Sequence, residues 1–152
     1  MTEQELRQAL KHTWYAHIKY EQELERLELL RSRAAKCTPA YSLTPGGGGA
    51  AQGLESAVAR IIEQEKKIAE NCGKLLLAEQ NAEKLINLLP DCPAKIVMCR
   101  RYLNHEKWEQ IAKHMAYTWQ HVHRLHKRGV KMILAKVNRK RKIQTSEQNL
   151  FE

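Results

Sequence analysis

Residues 106–137 read EKWEQIAKHMAYTWQHVHRLHKRGVKMILAKV, and the spacing of their apolar positions decides the fold. Trp108, Ile111, Ala112 and Met115 recur at three and four residues, the period of a helix buried along one side. The pattern breaks at Ala116-Tyr117-Thr118 and resumes as Val122, Leu125, Val130, Ile133 and Val137. Thr118 explains the break, because its hydroxyl oxygen accepts from an otherwise orphaned backbone N–H and so caps a new helix starting at Trp119. Two helices joined by about three residues cross steeply, the geometry of a helix-turn-helix. The second helix turns Trp119, Gln120, His123, Arg124 and Lys127 away from its apolar seam, onto the face that a recognition helix lays into the DNA major groove.

The pattern Ile111-Ala112, Met115, Ala116-Tyr117-Thr118, Val122, Leu125 resembles the helix-turn-helix signature, with small Ala112 where the two helices touch. More narrowly, TWQHVHRLHKRGVKMI (118–133) is similar to the last helix of region 4 of bacterial sigma factors, and VMCRRYLNHEKWEQIAKHM (97–115) to the helix pair that leads into it. This resemblance spans about residues 90–137 and implies that Trp119, Gln120, His123 and Arg124 approach base edges. Gln120 is chemically suited to the N6/N7 edge of adenine, Arg124 to O6/N7 of guanine, and His123 to a purine N7. Trp119 has two readings, contact with a thymine methyl or packing on sugar. Lys113, Thr118, Lys127, Arg128 and Lys131 are placed for phosphates, which set register without reading sequence. One position departs from the family: Ala116 stands where the turn usually has Gly, and Ala in a left-handed conformation costs about 1 kcal/mol.

The charge distribution points the same way. Residues 95–142 hold 14 Lys or Arg against Glu106 and Glu109 alone, whereas residues 1–94 hold 12 against 13 acidic residues. The whole excess behind the formal charge of +9 therefore sits on and beside the helix-turn-helix, as in a domain that displaces counterions from phosphates. With 43% hydrophobic and 28% charged residues, the composition is that of a soluble helical protein. No apolar run approaches the length of a membrane span and the N-terminus does not read as a signal peptide, so a cytoplasmic location and no membrane partner are expected.

The rest of the chain reads as a long antiparallel helical hairpin, residues 1–89. Leu6, Thr13, Tyr20, Leu27 and Ala34 recur every seven residues in a helix over 3–36, with Leu10, His17 and Leu24 as the second seam and Trp14 and Tyr15 beside it. Residues 37–53, CTPAYSLTPGGGGAAQG, read as a flexible connector; the four glycines lack the Gly-Lys-Ser/Thr of a phosphate loop. A second helix over 54–89 carries Leu54, Ile61, Ile68, Leu75, Ala82 and Leu89 at period seven, flanked by Val58, Ile62, Leu85 and Ile86. Two helices leave part of such stripes uncovered, so oligomerisation of a second copy through the hairpin is expected. Pro90 and Pro93 then mark a boundary, and residues 94–103 form a short helix with Ile96, Val97, Cys99 and Leu103 inward, closing a tri-helical core in a DNA-binding domain over 90–142. The basic run 138–142 either extends the last helix or trails along phosphates, and 143–152 reads as a frayed tail.

Chemistry other than binding finds little support. Cys37, Cys72, Cys92 and Cys99 lack the two-residue spacing of structural zinc and read as free thiols. His121 and His123 lie two apart on a helix and point about 200° from each other, so they cannot share an ion, and no metal or other cofactor is expected. No nucleophile stands with a base, so the chain reads as a non-enzyme.

The combination of hairpin and sigma-like domain resembles the small phage and prophage regulators of the ArpU/RinA group, most closely over Tyr102–Ile133. That resemblance implies a sequence-specific activator of phage late genes, binding double-stranded DNA beside the host RNA polymerase in a bacterial cytoplasm. Two alternatives stay open. Phage small terminase subunits also join a basic helix-turn-helix to a helical hairpin, and a nonspecific nucleic-acid adaptor would need only the charge.

Overall fold

The structure is a computed structural model that describes residues 1–36 and 48–148, the side chains of 48–52 and 144–148 excepted. The described residues are all helical or turn, without strands: α1 (Glu3–Lys36), α2 (Gly48–Ile86), α3 (Pro93–Tyr102), α4 (Trp108–Met115) and α5 (Trp119–Gln148). Residues 37–47 of the expected connector, Cys37 and residues 149–152 of the expected tail lie outside the described part. None of these helices is long and apolar enough to cross a membrane.

Two helix bounds differ from the sequence reading. α2 starts at Gly48 rather than at Leu54, because Ala50, Ala51 and Gln52 are good helix formers. α5 continues through the basic run to Gln148 rather than fraying at 143.

The chain divides into two compact units, and the division does not fall at Pro90. One comprises Ala16–Leu75, the other Met1–Tyr15 with Leu76–Glu152. In the first, α1 and α2 lie side by side as the two arms of a hairpin. Leu27 and Leu75 are buried between them, yet the second seam of α2 is not the expected apolar one: Val58 and Ile62 are exposed, while Gln64 and Asn71 are buried. Gln64 and Asn71 follow Ile61 and Ile68 by three residues, so they share the inward stripe whatever their polarity. Gln64 Nε2 donates to the Glu23 carbonyl oxygen at 3.0 Å and to its carboxylate at 2.5 Å, and the Arg31 guanidinium pairs with Glu65 at 2.9 Å. A polar seam residue that finds its partner in only one alignment specifies the register of the pair.

The other unit holds α3, α4 and α5, and beside the expected core of these three helices it has a cluster that draws on α1 and α2. Leu6 and Leu10 of α1, Ala82 and Ile86 at the end of α2 and Leu89 in the turn after it form one cluster with Met98, Tyr102, Val130 and Ile133. Ala94, Val97, Ile111, Val122 and Leu125 form a second cluster, edged by Trp108, Ala112 and Met115. α3 touches both, so its inward residues are Ala94, Val97, Met98 and Tyr102, and Ile96 is exposed instead of buried. A ten-residue helix is too short to be stable without such two-sided burial. Gly129 lets α5 approach it closely, since a Cβ there would stand 3.1 Å from Met98 Cγ.

α4 begins where Gln110 reaches back to accept from the Lys107 N–H at 2.8 Å. It ends at Ala116, whose φ of 53° and ψ of 38° are left-handed, as the turn demands. Tyr117 N–H donates to the Ala112 carbonyl at 3.0 Å, and Thr118 Oγ1 accepts from His121 N–H at 3.2 Å, the expected cap of α5.

These contributions separate by substitution. Leu10→Ala is expected to cost about 2–5 kcal/mol, because it opens a cavity in the core that carries α5. Ala116→Gly is expected to add about 1 kcal/mol by removing the left-handed penalty. Urea denaturation followed by tryptophan emission reads both; an unchanged midpoint for Leu10→Ala would show that the first helix does not support the C-terminal core.

Candidate nucleic-acid interface

The side chains expected to meet DNA fall into two groups once placed. Gln120, Arg124, Lys127, Arg128 and Lys131 are exposed along α5, with Lys113 exposed on α4 and Thr118 at the turn between them. Trp119 is half out in solvent at 51% exposure. None of the six cations Lys113, Arg124, Lys127, Arg128, Lys131 and Lys136 pairs with a carboxylate among the described residues; Lys136 Nζ donates to the Leu88 carbonyl oxygen at 2.6 Å. By contrast Arg100 and Lys95 are committed to structure. Lys95 pairs with Asp91 at 3.0 Å, and Arg100 with Glu106 at 2.8 Å, where His114 Nδ1 lies 2.9 Å from the other carboxylate oxygen. Burial would raise the Glu106 carboxyl, but the bond to His114 and the charge of Arg100 outweigh it and hold it below the usual carboxylate range.

His123 does not belong with the exposed group. Its ring lies 3.9 Å from the Trp119 centroid and 4.5 Å from that of Trp108, between one indole of α5 and one of α4. Its Nε2 is buried and finds no hydrogen-bond partner among the described residues. Burial, then the charges of Lys127 and Arg101, lower its pKa, which favours the neutral ring. The outward direction expected from helical phase alone fails because Trp108, one helix away, offers a flat apolar surface on that flank. His121 takes a different partner: its ring meets Tyr117 edge-on at 4.7 Å, and its Nδ1 lies 3.3 Å from an Arg124 nitrogen, holding that guanidinium against the helix.

Comparison of the chain with protein-family models, with characterised proteins and with solved structures finds no match. The site therefore has to be read from its own geometry.

Beneath the exposed face lies a layer that the sequence reading did not identify. Arg101 is sandwiched, its guanidinium carbon 3.8 Å from the Trp14 ring centroid and 4.5 Å from that of Trp108, and it donates to the Glu106 carbonyl at 2.9 Å. Tyr102 Oη and His126 Nε2 are 2.9 Å apart in the interior. Burial raises the Tyr102 phenol, so its O–H is kept and donates to a neutral imidazole. The aromatic residues Trp14, Trp108 and His126 were visible in the sequence, but no local spacing links the first of them to the other two.

The buried histidine makes the unit acid-sensitive. Burial, followed by Arg7, His123 and Arg101, pushes His126 from an ordinary value of 6.5 to about 4. As pH falls through 6.5 the unfolded chain takes up this proton first, so the stability due to neutral His126 is complete above that pH and is lost on the way down to about 4. The loss amounts to about 3 kcal/mol. Lowered values at His123 and Glu106 act in the same direction. The urea midpoint is expected to fall between pH 7 and pH 4.5, and His126→Gln, which can still accept from Tyr102, to flatten that slope; an equal slope in the variant would acquit His126.

Proposed function

We propose that this chain is a sequence-specific double-stranded-DNA-binding transcriptional regulator whose α5 enters the major groove. The observation that carries the reading is the exposed face of α5, where Gln120 and Arg124 stand among Lys127, Arg128 and Lys131, all without carboxylate partners among the described residues. Unpaired cations flanking two side chains of base-reading chemistry match the division of labour between phosphate contacts and base contacts. Gln120 and Arg124 read bases in this proposal, with Trp119 at the groove edge. His123 serves instead to support Trp119, against which its ring lies tilted. Lys113, Thr118, Lys127, Arg128 and Lys131 hold phosphates.

The resemblance of residues 102–133 to phage late-gene regulators with a sigma-region-4-like domain supports activation beside the host RNA polymerase. A second copy of the chain is the further partner we propose, through Leu54, Val58 and Ile62, exposed at four-residue spacing on α2. That stripe equally supports the packaging-subunit reading, in which the oligomer is a ring rather than a dimer.

Selection of bound sites from random duplex DNA at about 150 mM salt, where nonspecific contacts are weakened, is expected to recover a compact motif. On that motif Arg124→Ala should cost about 1–3 kcal/mol and on random DNA little, whereas Lys127→Ala should weaken both alike. Equal losses for both variants on every sequence would refute base reading by Arg124. Light scattering of the free chain completes the test: a ring favours packaging, and a monomer removes the second copy.

A further inference from the structure

A cleft of about 410 Å³ opens within the unit of residues 1–15 and 76–152. Four cations line it, Arg7 and Lys11 from α1, Arg101 from α3 and Lys127 from α5, and no carboxylate does. Arg7 is answered by Glu3 at 2.7 Å on the exposed side of α1. Lys11 and Lys127 make no ion pair or hydrogen bond among the described residues. Arg101 lies 3.8 Å from the Trp14 ring centroid and 4.5 Å from that of Trp108 and gives one N–H to the Glu106 carbonyl, and its guanidinium has further donors to offer in a cleft without carboxylates. Like charges brought together from three helices repel unless an anion joins them.

The same cleft has a flat, apolar side. Trp14 is half-buried there, and beside it Tyr15 is 66% exposed. His123, whose buried Nε2 lacks a partner, also lines it and can serve a polar group of a ligand. The volume falls at the lower end of the range of about 300–1,000 Å³ typical of small-molecule sites, which are aromatic-walled with a few convergent polar groups. A bare inorganic anion would engage the cations and leave the rings wet; a neutral aromatic would leave the cations unanswered. We propose that the cleft binds a mononucleotide, with the phosphate held by Lys11, Arg101 and Lys127 and the base laid against Trp14 and Tyr15. The site stands independently of whether α5 reads DNA.

Isothermal titration of the full chain with AMP, GMP, CMP and UMP in turn, at about 150 mM salt, tests this, with inorganic phosphate and adenosine as comparators. At least one mononucleotide is expected to bind saturably and about tenfold or more tighter than either comparator, the difference one charge-assisted hydrogen bond makes. Lys11→Met and Lys127→Met are each expected to weaken that binding about tenfold. Both lysines are exposed, so the fold is retained, as an unchanged thermal midpoint would verify. Lys66→Met, an exposed lysine in the Ala16–Leu75 unit, should leave the affinity unchanged. Three results overturn the proposal: no saturable binding of any mononucleotide up to about 1 mM, phosphate binding as tightly as the nucleotides, or equal weakening by Lys66→Met and Lys11→Met.

Discussion

The burial of Leu6 and Leu10 against Ala82, Ile86 and Leu89 is the interaction on which the C-terminal helices depend. α3 and α4 are ten and eight residues long, below the length at which helices are stable by themselves. Met98, Tyr102, Val130 and Ile133 find their packing only because the first turns of α1 and the last turns of α2 fill the space beside them. The helices that present the basic face are therefore built on residues from the far end of the chain. A binding face carried on α5 gains rigidity from this arrangement, because the inward side of that helix is locked at Val122, Leu125, Val130 and Ile133.

Charge follows the same logic of inside and outside. Arg100 and Lys95 stand near the start of the basic region and each is consumed by a nearby carboxylate, whereas Arg101 lies against two indoles and gives one N–H to a carbonyl. Arg124, Lys127, Arg128 and Lys131 on α5 have no carboxylate partner among the described residues, and solvent or a ligand must answer them. Net charge alone does not distinguish these two populations. The distinction matters for any electrostatic reading, since an ion pair already formed releases no counterion when a polyanion arrives.

Histidine shows how a tertiary neighbour overrides helical phase. His121, His123 and His126 lie within six residues of one another and meet three different surroundings. One is held edge-on by Tyr117, one lies tilted against both Trp108 and Trp119, and one is bonded to Tyr102 in the interior. Helical spacing separates their directions, but only the rings that wait in those directions decide whether an imidazole is a surface group, a stacking platform or a neutral acceptor. His126 is kept neutral by burial next to cations, and this ties the stability of the unit to pH.

The periodicity at 106–137 was enough to place α4, the turn and the start of α5, with Thr118 as cap and Ala116 in the left-handed region, because each rests on backbone hydrogen bonding within a few residues. Seven-residue spacing likewise indicated two long helices, and local charge counts located the basic region. The polar seam at Gln64 and Asn71, the sandwich of Arg101 between Trp14 and Trp108, the withdrawal of His123 and the exposure of Ile96 were not legible. Each depends on a contact between residues that no local period connects, the widest spanning Trp14 to Trp108. Sequence by itself determined which segments are helical and which of their faces are apolar, since those follow from short-range sterics and hydrogen bonds. Only the tertiary structure decided which apolar face meets which, and thereby where one compact unit ends and which charged and aromatic side chains gather around a common space, because burial is shared among all the helices at once.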